Sequence, residues 1–346
     1  MEGASHIGDD MLAEILAKLP LKPLFRFKCV SKSWRGLISE NHLRRRLPLL
    51  TSGVFYCSGP GPHNGPRYAF ASDDGGLEEC DLDFFPFLRS STLVDSCNGL
   101  LLFYAAHPAA FYVANPITRR WRALPRPQGR TRLSILAFDP SASPDYKVIC
   151  FTGWRPRGAD IETFSSETGE WAPGELNWPG VETDAMLATM HCFGGALYIL
   201  AHSGCVIPVD LATMECRAAI GLPEPMSPDG RLGNRGGSLY YSHTSDHDHE
   251  LKIWTLGQNC TWVMRCSVSV SELGLGLDSD RAQVLAFDPE RGVVYMWVGG
   301  KLVGFDYERR GVFKEWEFEK ERERERPHLI QIWVFPFSNY LSNCLS

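Results

Sequence analysis

At 346 residues the chain is long enough for about two domains, and 44% hydrophobic with 22% charged residues are ordinary globular values that exclude wholesale disorder. A net charge of −6 excludes general electrostatic attraction to nucleic acid or to an anionic membrane. Eleven scattered cysteines, an odd number with no Cys-x-x-Cys pair, read as reduced and mostly buried thiols, so the expected compartment is the cytoplasm or the nucleus.

The N-terminal stretch, residues 7–38, comes first. Asp9, Asp10 and Glu14 precede any long apolar run, so the segment does not read as a secretory signal. Leu12, Ile15, Leu16 and Leu19 sit at i, i+3, i+4 and i+7, one face of a helix. The pattern predicts Asp9 as its cap and Pro20 as its stop. Pro23 suits the first turn of a second short helix carrying Leu24 and Phe27. Ser31 is placed to cap a third, with Trp34, Leu37 and Ile38 on one side. A three-helix unit this small leaves apolar surface that must meet the rest of the chain or a partner.

The run Asp9-Asp10-Met11-Leu12-Ala13-Glu14-Ile15-Leu16-Ala17-Lys18-Leu19-Pro20, followed by Cys29-Val30-Ser31-Lys32-Ser33-Trp34-Arg35, resembles the F-box. The spacing holds through three elements, over roughly the first 45 residues. One departure is visible: Ile7-Gly8 stands where the family usually has Leu-Pro. The resemblance implies docking to the Skp-type linker subunit of a ubiquitin ligase, and through it to a cullin. Ile7, Leu12, Ile15, Leu16, Leu19, Pro20, Leu24, Val30 and Trp34 match the family's apolar docking motif. Some of them must face the head's own interior, and the sequence does not separate the two sets. Residues 1–48 are assigned to this head.

Residues 49–94 form a connecting segment that supplies the first strands of the body. Within it Gly59-Pro60-Gly61-Pro62-His63-Asn64-Gly65-Pro66 is a loop by composition, and Asp73-Asp74-Gly75-Gly76 a turn between short strands. From Ser96 onward one device repeats: a Gly-containing turn followed by large apolar residues. It occurs at Asn98-Gly99, Gly194-Gly195, Gly236-Gly237 and Arg291-Gly292. A second device, a polar turn with an aromatic a few residues on, ends at Trp121, Trp171 and Trp316; Cys216 and Trp262 fall at similar intervals between them. A period near 50 with Gly-Gly, then Tyr, then Trp is the kelch-like propeller signature. Each unit is a short strand meander that buries its faces only by radial stacking.

Residues 96–118 and 185–209 lack charge, but asparagines, histidines, glycines and prolines inside them make buried strands a better reading than membrane spans. The charge run at 318–326 has no apolar face and reads as a solvated loop or an extended hairpin tip, and residues 331–335 read as a closing strand. Asp95-Ser96-Cys97-Asn98-Gly99-Leu100-Leu101, Asn115-Pro116-Ile117-Thr118-Arg119-Arg120-Trp121 and Ala137-Phe138-Asp139-Pro140 resemble the F-box-associated β-propeller of plant F-box proteins, over most of residues 95–335. The expected fold class is α+β in separate domains, a small three-helix F-box followed by an all-β propeller over 95–346.

Several constellations carry residue types suited to chemistry. His243, His247 and His249 are dense enough for a metal, but consecutive residues on a hairpin tip point apart. His191 and Cys192 are strand neighbours and face opposite sides, so they do not form a nucleophile–base pair. Gly274-Leu275-Gly276-Leu277 lacks the third glycine of a dinucleotide site, and Asp139-Pro140 and Asp288-Pro289 read as turns. No catalytic, cofactor or metal residue is assigned. The expected function is a non-catalytic, substrate-recognition adaptor of an SCF-type ligase, with an unidentified target protein and neither nucleic acid nor membrane as partner. The rivals are a propeller enzyme, a glycan-binding module and an F-box scaffold outside ubiquitination.

Overall fold

The computed structural model describes residues 8–17, 27, 30–34, 51–58, 67–72, 77–79, 82–116, 118–140, 142–182, 186–245, 249–273, 282–298, 301–317, 333–338 and 345. The head contributes helix α1 (Asp9–Ala17). Its first main-chain bond runs from the Leu12 N–H to the Gly8 carbonyl at 3.0 Å, so Gly8, not Asp9, occupies the N-cap. The third-helix cap holds: Ser31 Oγ accepts the Trp34 N–H at 3.0 Å, and residues 32–34 are helical.

Among the described residues the body has 24 strands in six four-stranded antiparallel sheets. The first sheet holds β1 (Thr51–Ser58), β2 (Arg67–Ser72) and β3 (Leu77–Glu79), together with the last strand of the chain. The second is β4 (Thr92–Cys97), β5 (Leu100–Ala106), β6 (Ala109–Asn115) and β7 (Arg120–Ala123). The third is β8 (Leu133–Phe138), β9 (Tyr146–Arg155), β10 (Gly158–Ser165) and β11 (Glu170–Asn177). The fourth is β12 (Met186–Phe193), β13 (Ala196–Ala201), β14 (Cys205–Asp210) and β15 (Ile220–Gly221). The fifth is β16 (Arg231–Arg235), β17 (Ser238–Thr244), β18 (Glu250–Leu256) and β19 (Trp262–Ser269). The sixth is β20 (Ala282–Phe287), β21 (Val293–Val298), β22 (Lys301–Asp306) and β23 (Gly311–Glu317). The last strand, β24 (Trp333–Ser338), returns to the first sheet and pairs with β1.

Strands β24, β4, β8, β12, β16 and β20 touch one another in that circular order, so they form the inner ring of a closed six-bladed propeller. The described residues of 96–118 and 185–209 lie within the meanders of the second and fourth blades, which accounts for their lack of charge. No helix among the described residues is long and apolar enough to cross a membrane.

In the second and sixth blades the second strand is covered on both faces, so it reads as a continuous apolar run rather than an alternating one. Leu100, Leu101, Leu102 and Phe103 are fully buried, as are Val294, Tyr295 and Met296. The clusters lie between blades: Ile135, Ile149 and Phe151 of the third pack with Leu197, Ile199 and Ile207 of the fourth. Likewise Leu251 and Ile253 of the fifth pack with Val284, Val294 and Phe305 of the sixth.

Both repeated sequence devices have a structural meaning. The Gly-Gly pairs are the tight turns between first and second strands. Gly194 and Gly195 have φ of 56° and 74°, and Gly236 and Gly237 of 53° and 76°. Two successive positive φ values match the right-handed twist of a hairpin and suit glycine. The periodic tryptophans sit on the outermost strands β7, β11, β19 and β23. Two brace the preceding blade: Trp171 Nε1 donates to the Pro125 carbonyl and Trp262 Nε1 to the Gly221 carbonyl, each at 2.7 Å. Cys216 takes part in an isolated bridge with Val209, just ahead of the short outer strand β15.

Candidate docking surfaces

The helical head sorts its apolar residues by exposure. Leu16 is 1% exposed and belongs to the interior, whereas Met11 at 62%, Ile15 at 47% and Val30 at 60% project into solvent. Leu12 is half-buried. Trp34 is half-buried too, its ring set edge-on against Phe27 with centroids 5.3 Å apart. Ile7, Leu19, Pro20 and Leu24 lie outside the described residues. The structure thus splits the motif that the sequence left whole. Leu16 is buried, while Ile15 and Val30, joined by Met11, which the sequence motif does not include, are exposed and available to a partner.

In the body, the loops that pass from the outer strand of one blade to the inner strand of the next share one end of the propeller with the second-to-third strand turns. Between the second and third blades this end carries a cleft of about 480 Å³ lined by Arg130, Thr131, Arg132 and Trp154. The Trp154 ring lies stacked on Phe151 with centroids 4.9 Å apart. The loop is pinned from below: the buried Glu162 carboxylate accepts the Gln128 N–H at 2.8 Å and the Gly129 N–H at 2.6 Å. A side chain at Gly129 would meet Thr152 Cγ2 at 2.8 Å, so the close approach requires glycine.

The titratable clusters have structural explanations. His243 is buried on β17, with Nε2 3.3 Å from Glu224, which also takes Lys252 Nζ at 3.0 Å. Burial pushes the His243 imidazole below its usual range, against the opposing pull of Glu224. His249 sits in the following turn with φ 50°, and His247 lies outside the described residues. Among the described residues no group of three ligand-type side chains could hold a metal ion. On β12, His191 Nε2 meets Asn234 Oδ1 at 2.7 Å, whereas Cys192 packs against the cluster of the third and fourth blades. Asp95 on the inner strand β4 ties the ring together, accepting the Leu136 N–H of β8 at 2.7 Å and the Ser96 N–H at 2.8 Å. Burial pushes its carboxyl up to about 7. Burial pushes the Cys97 thiol up to about 12 and Cys192 well above its usual value, which keeps both protonated and weakly nucleophilic.

Comparison with known proteins now decides the family. The F-box domain matches residues 5–46, and the beta-propeller described as "F-box protein At3g26010-like" matches residues 84–324. The chain is a member of the F-box proteins that carry this propeller. Among similar proteins of Arabidopsis thaliana, F-box protein At5g07610 is 30% identical over 308 residues, covering 77% of this chain and 71% of its own. F-box protein At5g49610 is 29% identical over 297 residues, covering 76% and 79%. This F-box protein therefore has the head and the all-β body that its sequence motifs implied.

The Ile7-Gly8 departure bears on the cap of α1. Gly8 is exposed, a side chain there would meet nothing within 4 Å, and its φ is not in the left-handed region. Gly8→Pro is expected to leave partner binding by the head unchanged or to strengthen it, by roughly 0.4–1 kcal/mol through lost unfolded-state freedom. A clearly weaker titration would show that position 8 needs a main-chain conformation proline does not reach. The cleft at Arg130 and Arg132 escaped the sequence reading. Its signal was present as Arg126-Pro127-Gln128-Gly129-Arg130-Thr131-Arg132, a locally basic run in an acidic chain.

Proposed function

We propose that this F-box protein is a non-catalytic substrate-recognition adaptor of an SCF-type ubiquitin ligase. The head docks the Skp-type linker subunit, and through it the cullin, while the propeller presents a target protein in the cytoplasm or nucleus. The observation that carries this reading is the exposed apolar set Met11, Ile15 and Val30 on a head that matches the F-box. Three such side chains left in water on so small a unit are what a docking face requires. The loop-bearing end of the propeller suits target binding, because loops on a closed ring vary without disturbing the ring.

The test is a titration of purified linker subunit against the full-length chain. The double substitution Ile15→Asp, Val30→Asp is expected to weaken binding at least about a hundredfold, since each change buries a charge without a partner. The melting transition of the propeller is expected to stay where it is. Undiminished binding by the double variant would remove the head from the interface.

A further inference from the structure

We infer that the cleft between the second and third blades receives a phosphorylated side chain of the target protein, held by Arg130 and Arg132 against the Trp154 wall. The inference rests on the adaptor reading for the identity of its ligand as a target, and on the cleft itself for its chemistry.

The charges around the cleft divide into those already used and those left over. Arg155 is committed to Asp160 at 3.3 Å and to Glu175 at 3.2 Å. Arg157 is committed to Glu182, with Nε at 2.7 Å from the carboxylate. Glu162 is occupied by the two backbone N–H groups that pin the loop. Each of these four acidic groups thus has its own partner. Arg130 and Arg132 are both exposed and take no acidic partner among the described residues. Two unpaired guanidiniums on either side of one residue match a group that carries close to two negative charges and three acceptor oxygens.

The loop that bears them is held in place rather than free. Besides the Glu162 clamp, the Arg132 N–H donates to the Phe151 carbonyl at 2.8 Å, which continues the β8–β9 ladder past Leu133. The Trp171 indole holds the Pro125 carbonyl at the other end of the same loop. Ordering therefore costs little when an anion arrives. The Trp154 face supplies apolar contact for the residue beside the phosphorylated one, and 480 Å³ has room for both side chains. The overall charge of −6 repels a polyanion, so one local dianion on a peptide fits better than a nucleic-acid backbone.

The test uses the full-length chain and a degenerate peptide library centred on phosphoserine. The same library with serine and with glutamate at the centre, and a single-stranded RNA of mixed sequence, serve as the other arms. Binding is read by fluorescence anisotropy. The phosphoserine library is expected to bind at least about tenfold tighter than the serine library, and Arg130→Gln, Arg132→Gln is expected to abolish that preference. Trp154→Ala is expected to weaken both peptide libraries. Equal binding of the phosphoserine and serine libraries, a preference that survives the double substitution, glutamate binding as tight as phosphoserine, or tighter binding of the RNA would each overturn the inference. Titration of the linker subunit on the same variants separates the two levels. Intact linker binding with no phosphate preference removes this inference alone. A phosphate preference in a chain that does not bind the linker leaves the cleft assignment standing and removes the adaptor reading.

Discussion

A chain ending before Pro327 is expected to aggregate or to lose its cooperative melting transition, not to lose one strand quietly. Strand β24 is the inner strand of the first blade, and its partners come from the opposite end of the body. It pairs antiparallel with β1 in a register that runs from Thr51↔Ser338 to Cys57↔Trp333. It also touches β20 on one side and β4 on the other. Without it the first sheet has no inner strand, and the ring opens between the sixth and second blades. An open ring presents unpaired strand edges, which are templates for association. The same truncation removes Leu345, which is buried in the cluster of the second and third blades. Circular dichroism melting with light scattering decides the matter. A soluble truncated protein with an unchanged melting curve would mean that the ring does not depend on this closure.

Asp288→Ala is expected to destabilise the body strongly, because it breaks a buried polar set. Asp288 is fully buried at the end of β20. Its carboxylate accepts the Glu290 N–H at 3.0 Å and the Arg291 N–H at 2.9 Å, which closes the turn toward β21. It also takes the Arg291 guanidinium through Nε at 2.9 Å and Nη2 at 2.6 Å, and the Tyr295 hydroxyl at 3.1 Å. Removing one member of such a set leaves the others to desolvate without a partner. The expected cost is about 3 kcal/mol, the lower end of the range for a broken buried pair, because Arg291 keeps 32% of its side chain exposed. That corresponds to a fall in melting temperature of about 6–12 °C for a body of this size. Asp288→Asn, which retains the acceptor for the turn, is expected to lose less. A melting temperature of Asp288→Ala within about a degree of the parent would show that the turn and the arginine find other partners.

Asp288 also shows how far local sequence carries. Its position before a proline at a strand end marked a turn, and it is one, as are the Asp139 and Asp210 turns that cap other strand ends. Nothing local announced that the same carboxylate would be sealed beneath Arg291 and Tyr295, because that burial is a property of the neighbouring strands. The helix cap behaves the same way. Asp9 is the better N-cap by side chain, yet the first main-chain bond reaches Gly8, and the one-residue shift came from how the head folds.

The sequence by itself determined the order of the two units, the F-box motif, the Gly-Gly turns and the spacing of the outer-strand tryptophans. These are carried by residues close together in the chain, where φ preferences and side-chain alternation act directly. Tertiary structure alone decided four other things. It set the number of blades, because irregular repeats count sheets only once strands are paired. It gave the closing strand its partner and register, β24 on β1 across nearly 290 residues, because composition marks a strand but not what it pairs with. It separated Leu16, which faces inward, from Ile15 and Val30, which face solvent, since a helical stripe shows which residues share a side but not what covers it. And it brought Arg130 and Arg132 of one loop up to Trp154 of the next hairpin, because a cleft is made by the distance between chain segments, and sequence order does not encode that distance.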